Sequence, residues 1–152
     1  RVPIAAADAL PPRDRTITTA VSSSLAGLAV LCIDNDRNIL DGMVALLERW
    51  GCQVATATDG ESARREAALR RPDVILADFH LDREDGLDLL VELQRESPGP
   101  PAGVLITANR SESLRARVDE LGVPLLHKPV KPAALRALLS SFARRRIETP
   151  VA

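Results

Sequence analysis

The sequence predicts an α/β protein, a (βα)5 alternation wound into a parallel sheet in strand order 2-1-3-4-5. Three observations predict it. From Leu28 onward, short apolar runs alternate with amphipathic segments of helical spacing, and no block of helices or strands alone interrupts them. The connections are short, and right-handed crossovers then leave few topologies. Three of the apolar runs also end on a charged residue: Leu31-Cys32-Ile33-Asp34, Asp73-Val74-Ile75-Leu76-Ala77-Asp78 and Leu125-Leu126-His127-Lys128. The C-terminal edge of parallel strands is where open α/β sheets place their chemistry.

Taken in order, the first strand is Leu28 to Ile33. A helix follows from Asp36 or Arg37 to Trp50, with Ile39, Leu40, Met43, Val44, Leu46, Leu47 and Trp50 at helical spacing and Gly51 as its stop. The second strand is Gln53 to Ala57. Asp59 caps a second helix, Gly60 to Arg70, which Pro72 ends. The third strand, Val74 to Ala77, leads through a loop to a helix from Gly86 to Glu96 with Leu87, Leu90, Val91 and Leu93 facing inward. Ser97-Pro98-Gly99-Pro100-Pro101 breaks the chain before the fourth strand, Gly103 to Thr107. Ser111 caps the fourth helix, Glu112 to Leu121, which Gly122 terminates. The fifth strand is Pro124 to His127, and the last helix runs from Pro132 to Arg145.

Residues 1–27 differ in texture. Pro3, Pro11, Pro12 and the run Thr16 to Ser24 carry no periodicity and are expected to form a linker, with a short strand remnant at Val2 to Ile4; residues 147–152 are expected to be a tail. The domain proper is placed at residues 28–146. Its size suffices to bury roughly 68–70% of the unfolded chain's surface without a disulfide or structural metal. A net charge of −1 and 45% hydrophobic content argue against a nucleic-acid-binding module, and 2% aromatics leaves no base-stacking platform. Cys32 and Cys52 lie in or beside apolar segments and read as buried thiols of a reducing compartment, so the cytoplasm is the expected location. No run approaches a membrane span, and no membrane contact is expected of this chain. The Arg144-Arg145-Arg146 run reads as a solvated helix end. His80 and His127 have no partner at ligand spacing.

In the expected strand order the first and third strands are neighbours, so Asp34 and Asp78 land side by side. Two carboxylates this close repel by about 4 kcal/mol at an effective dielectric near 20. A bound cation relieves that repulsion, and Mg²⁺ suits a site with few protein oxygens because it keeps several waters. One carboxylate can then attack a phosphoryl group. Lys128 and the Thr107 hydroxyl, both at strand ends, supply donors to the phosphoryl oxygens. A glycine-rich phosphate loop and flavin-stacking aromatics are both missing, which disfavours a hydrolase or flavin binder of the same topology.

Asp34-Asn35-Asp36, Asp78, Asp85-Gly86, Thr107-Ala108 and Lys128-Pro129 fall in order at the spacing of a receiver domain of two-component signalling, which residues 28–146 resemble. The resemblance implies the flavodoxin-like sheet and Asp78 as acceptor of a phosphoryl group from a phosphohistidine. It implies Mg²⁺ held by Asp34, Asn35, Asp78 and the His80 backbone carbonyl, with Thr107 and Lys128 on the phosphoryl group. It also implies a cis Lys128-Pro129 bond, a histidine kinase or histidine-phosphotransfer partner, and signal output or homodimerisation through the fourth helix, fifth strand and fifth helix. Two residues depart from the family pattern. Asn35 stands where a second acid is usual, which predicts weaker Mg²⁺ binding unless Asp36 compensates; Leu125 stands where an aromatic switch residue is usual. The alternative reading is a degenerate receiver that acts as a phosphorylation-independent interaction module. Arg1-Val2-Pro3-Ile4 resembles the end of a kinase ATP-binding domain. With Arg1 in place of an initiator Met, it leads to the expectation of a segment from a longer hybrid histidine kinase, one that can itself be membrane-attached.

Overall fold

The computed structural model describes residues 25–148. Five strands, β1 (Ala29–Ile33), β2 (Gln53–Ala57), β3 (Val74–Asp78), β4 (Ala102–Thr107) and β5 (Leu125–His127), form one parallel sheet in the order β2-β1-β3-β4-β5. Five helices connect or follow them: α1 (Arg37–Arg49), α2 (Gly60–Arg70), α3 (Gly86–Arg95), α4 (Glu112–Leu121) and α5 (Pro132–Glu148). This is the doubly wound, flavodoxin-like sheet that the alternation predicts.

The period-2 geometry of a strand divides the core. Val30, Cys32, Val74, Leu76, Val104 and Ile106 face α1 and α5, where Leu40, Leu47, Leu135, Leu139 and Ala143 meet them. Leu31, Ile33, Ile75, Ala77 and Leu105 face the other way, onto α2, α3 and α4. Because β3 is covered on both sides, all five of its residues are buried. Each of the large apolar side chains removed from water here contributes about 1.5–3 kcal/mol. Among the described residues, no helix is long and apolar enough to cross a membrane.

The helix starts follow the capping residues. Asp36 accepts from the Asn38 N–H, Asp59 from Ser62, Asp85 from Leu87 and Asp88, and Ser111 from Leu114. Gly51 ends α1 at φ +90°, and a Cβ there would lie 3.1 Å from the Ala26 Cα, so a side chain is disfavoured by both conformation and space.

Two boundaries differ from expectation. Leu25 is wholly buried in the α1/α5 core, and the Gly27 N–H bonds the Gly51 carbonyl at 2.8 Å, so the core takes in residues of the expected linker. The Ser- and Ala-rich surroundings conceal that single apolar anchor. At the other end α5 continues to Glu148, into the expected tail, because nothing between Arg145 and Glu148 breaks a helix. The rest of the expected linker, with Arg1 to Ile4, lies outside the described residues, as does the tail beyond residue 148.

Gly86 opens α3 against the end of β3. A Cβ built there would overlap the Asp78 carbonyl oxygen and come within 2.8 Å of its carbon, neither of which belongs to a flexible side chain. Gly86→Ala is therefore expected to lower the unfolding free energy by about 1–3 kcal/mol, read from urea denaturation at constant m-value.

Candidate functional site

The register of the sheet places the charged residues. Ile33 pairs with Ala77 across β1 and β3, so the next residues, Asp34 and Asp78, leave the same sheet edge side by side. Both are buried, at 5% exposure each. The backbone holds them: the Asp34 N–H bonds the Ala57 carbonyl at 3.1 Å, and the Phe79 N–H bonds the Ile106 carbonyl at 2.9 Å. On the far side, the Lys128 N–H bonds the Thr107 carbonyl at 2.9 Å, and Lys128-Pro129 is a cis peptide. The ammonium of Lys128 then reaches across the sheet edge to both acids, 2.9 Å from Asp78 Oδ1 and 3.2 Å from Asp34 Oδ2.

The remaining bonds define what is still available. Asp34 Oδ1 accepts from the Asp36 N–H at 2.9 Å, and Asp78 meets the Lys128 ammonium through Oδ1, which turns its Oδ2 away from that contact. Thr107 is fully buried, and its Oγ1 accepts from the Asn109 N–H at 2.9 Å. The acids and Lys128 form the polar end of a cavity of about 460 Å³ whose other walls include Ile39, Leu40, Met43, Leu76, Ile106 and Val130.

This setting shifts the two partners in the same direction for different reasons. Burial raises the Asp78 pKa, the Lys128 hydrogen bond opposes the rise, and the Asp34 charge adds to it. For Lys128, burial favours the neutral amine, but the hydrogen bond to Asp78 and the charges of Asp78 and Asp34 outweigh it and raise the pKa. One ammonium faces two carboxylates, so its charge is well compensated while that of Asp78 is not. Cys32, below Asp34 in β1, is buried and pushed up to about 12, mainly by desolvation, which leaves it a packing residue rather than a nucleophile.

The residues singled out from the sequence thus divide. Asp34, Asp78, Thr107 and Lys128 converge at one edge. Asn35 is exposed beside them and donates its amide to Asp82 Oδ1 at 2.7 Å. Asp36, also exposed, caps α1: its Oδ1 accepts from the Asn38 N–H at 2.9 Å. His80 is exposed, edge-on to the Phe79 ring at 4.9 Å, and bridges to Asp85 in an antiparallel pair. Leu125 packs, half-buried, on the α2–α4 side of the core. Sequence reasoning missed Asp82 and Asn109, and also Arg117 of α4, which binds Asp85 and Asp88 at 2.9 and 3.0 Å. Asp82 and Asn109 lie in irregular loops and Arg117 on the polar side of α4, so no apolar periodicity marks them.

The model of the response regulator receiver domain matches residues 30–140. This chain belongs to that family. Over 117 residues it is 31% identical to the alkaline phosphatase synthesis transcriptional regulatory protein PhoP of Bacillus subtilis, covering 76% of this chain and 48% of PhoP. It is 34% identical over 125 residues to the probable transcriptional regulatory protein TcrX of Mycobacterium tuberculosis, covering 82% of this chain and 53% of TcrX. The receiver therefore spans about half the length of these relatives. Among solved structures, a CheY-like receiver domain protein from Methanospirillum hungatei superposes with a TM-score of 0.74 at 22% identity, covering 81% of this chain and 98% of that one, a likeness of fold.

A raised Asp78 pKa means that the folded receiver binds that proton more tightly than the unfolded chain. The cost of ionising Asp78 in the fold is then absent below the ordinary aspartate pKa and develops as the pH rises through the folded value. In EDTA, Asp78→Asn is expected to raise the urea midpoint at neutral pH, with the gain fading as the pH falls below the ordinary carboxylate range.

Proposed function

We propose that this receiver takes a phosphoryl group from a phosphohistidine onto Asp78, with Mg²⁺ bound beside it. The observation that carries the reading is the single ammonium of Lys128 in contact with both buried carboxylates, while Asp78 Oδ2 is turned away from that contact. The donor set fits the metal. It is all oxygen, and among the described residues no three His, Cys, Asp or Glu side chains converge into a cage. Mg²⁺ takes one or two carboxylates and retains water, so this sparse set suits it better than it suits zinc or calcium. Asp34 and Asp78, the Asn35 side-chain carbonyl and the His80 backbone carbonyl would hold it. When bound, Mg²⁺ neutralises the carboxylate pair and the charge developing on the phosphoryl oxygens.

The chain's own residues do the rest. Asp78 Oδ2 attacks phosphorus as the P–N bond breaks, the bonding pair leaves with the imidazole nitrogen, and an acyl phosphate forms on Asp78. Lys128 transfers its charge from the carboxylate to a phosphoryl oxygen. The Thr107 hydroxyl, whose oxygen accepts from the Asn109 N–H, donates its hydrogen to another phosphoryl oxygen and so couples that group to the start of the α4 connection. The phosphoryl group carries about −1.5 to −2 in place of the single charge of the Asp78 carboxylate, and that change is what the face built from α4, β5 and α5 then reports to a partner or a second copy.

The context we infer is a cytoplasmic module of a hybrid histidine kinase, supported by Leu125 at the switch position and by the likeness of Arg1 to Ile4 to a kinase domain end. The names of PhoP and TcrX favour a second context, a transcriptional regulator. Sequencing the gene on both sides decides between them. A kinase core upstream supports the first, and a DNA-binding module downstream supports the second.

Acetyl phosphate with Mg²⁺, read by intact mass, tests the chemistry. The expected result is one added phosphoryl group, absent in EDTA and in Asp78→Ala. No addition to folded protein would instead support the degenerate, phosphorylation-independent module that Asn35 favours. Lys128→Met is expected to slow uptake roughly 10²-fold, the usual effect of removing one donor to a developing anionic oxygen.

A further inference from the structure

Asn35 places a neutral amide where the resemblance implies a second acid beside the proposed Mg²⁺ site, and a carboxylate, that of Asp82, lies in contact with it. The amide of Asn35 donates to Asp82 Oδ1 at 2.7 Å across the gap between the β1–α1 and β3–α3 loops. A carboxylate can only accept, so the Asn35 nitrogen must face Asp82 and its carbonyl oxygen must point the other way. Without the metal, an aspartate at 35 would set two carboxylates against each other at this distance, whereas Asn35 and Asp82 are complementary.

The β3–α3 loop that carries Asp82 is itself well anchored. The Gly86 N–H bonds the Phe79 carbonyl at 2.9 Å, His80 bridges to Asp85, and Arg117 ties Asp85 to α4. Asp82 is exposed, and among the described residues Asn35 is its hydrogen-bond partner and no cation forms an ion pair with it.

We propose that Asp82 is a positioning residue for the Mg²⁺ site: it fixes Asn35 with the carbonyl presented as a ligand, and it supplies from the third strand's loop the negative charge that position 35 lacks. The site then keeps the charge of the usual arrangement, moved outward by one hydrogen bond. This inference rests on the Mg²⁺ reading above.

Titration calorimetry with MgCl2, without phosphodonor, tests both and separates them. Asp82→Asn keeps an acceptor for the Asn35 amide and removes only the charge; it is expected to weaken Mg²⁺ binding about tenfold at low salt, with the difference shrinking in 1 M NaCl. The exchange variant Asn35→Asp/Asp82→Asn is expected to return to within about threefold of wild type. Binding unchanged in Asp82→Asn, or an exchange variant as weak as the single one, overturns the role of Asp82 while leaving the Mg²⁺ site standing. A wild-type receiver that takes up no Mg²⁺ overturns both. Asp82 is exposed, so neither variant removes core packing, and the urea midpoint in EDTA confirms that both are folded.

Discussion

Asp34 and Asp78 leave neighbouring parallel strands at the same level, and the low-polarity wall formed by Ile39, Leu40, Met43 and Ile106 denies them most of the water that would screen their repulsion. Lys128 is the counter-charge, and it reaches them only because β5 is paired to β4 in the register that bonds its N–H to Thr107. Net charge at this edge is negative and incompletely satisfied. A fold that keeps such a group buried is carrying a cost that packing elsewhere offsets, and under the proposed chemistry a divalent cation relieves it. The two faces of apolar packing on β3 serve that edge by holding both acids in place.

The same contacts outline how a change at Asp78 could travel. Thr107 is bound to the loop that leads into α4, and α4 is bound through Arg117 to the first turn of α3, next to the loop that follows Asp78. These ion pairs are part-exposed, so their strength is modest and falls with salt. They nonetheless make α4 the element that touches both sides of the site. Leu125 gives β5 no ring to rotate, and a loop-and-helix linkage does not need one.

Much of this was legible in the sequence. Strand ends could be placed because β1 and β3 are fully apolar runs that stop at an acid, and helix starts because Asp36, Asp59, Asp85 and Ser111 are capping types before amphipathic segments. Once strand order was fixed, the meeting of Asp34, Asp78, Thr107 and Lys128 followed from it. What was not legible depends on contacts between irregular segments. Leu25 belongs to the core but stands among Ser and Ala residues. Asp82 is one acid among several in its loop, and only the geometry singles it out as the partner of Asn35.

The central claim is that Asp78 is held in an unfavourable charged state that a divalent cation resolves. Carbon-13 NMR titration of the Asp78 carboxyl, in EDTA and in excess Mg²⁺, measures this at the atom concerned. The account predicts a midpoint above the ordinary aspartate value in EDTA, as burial and Asp34 require, and a marked fall on adding Mg²⁺. An ordinary midpoint that Mg²⁺ does not move would contradict it.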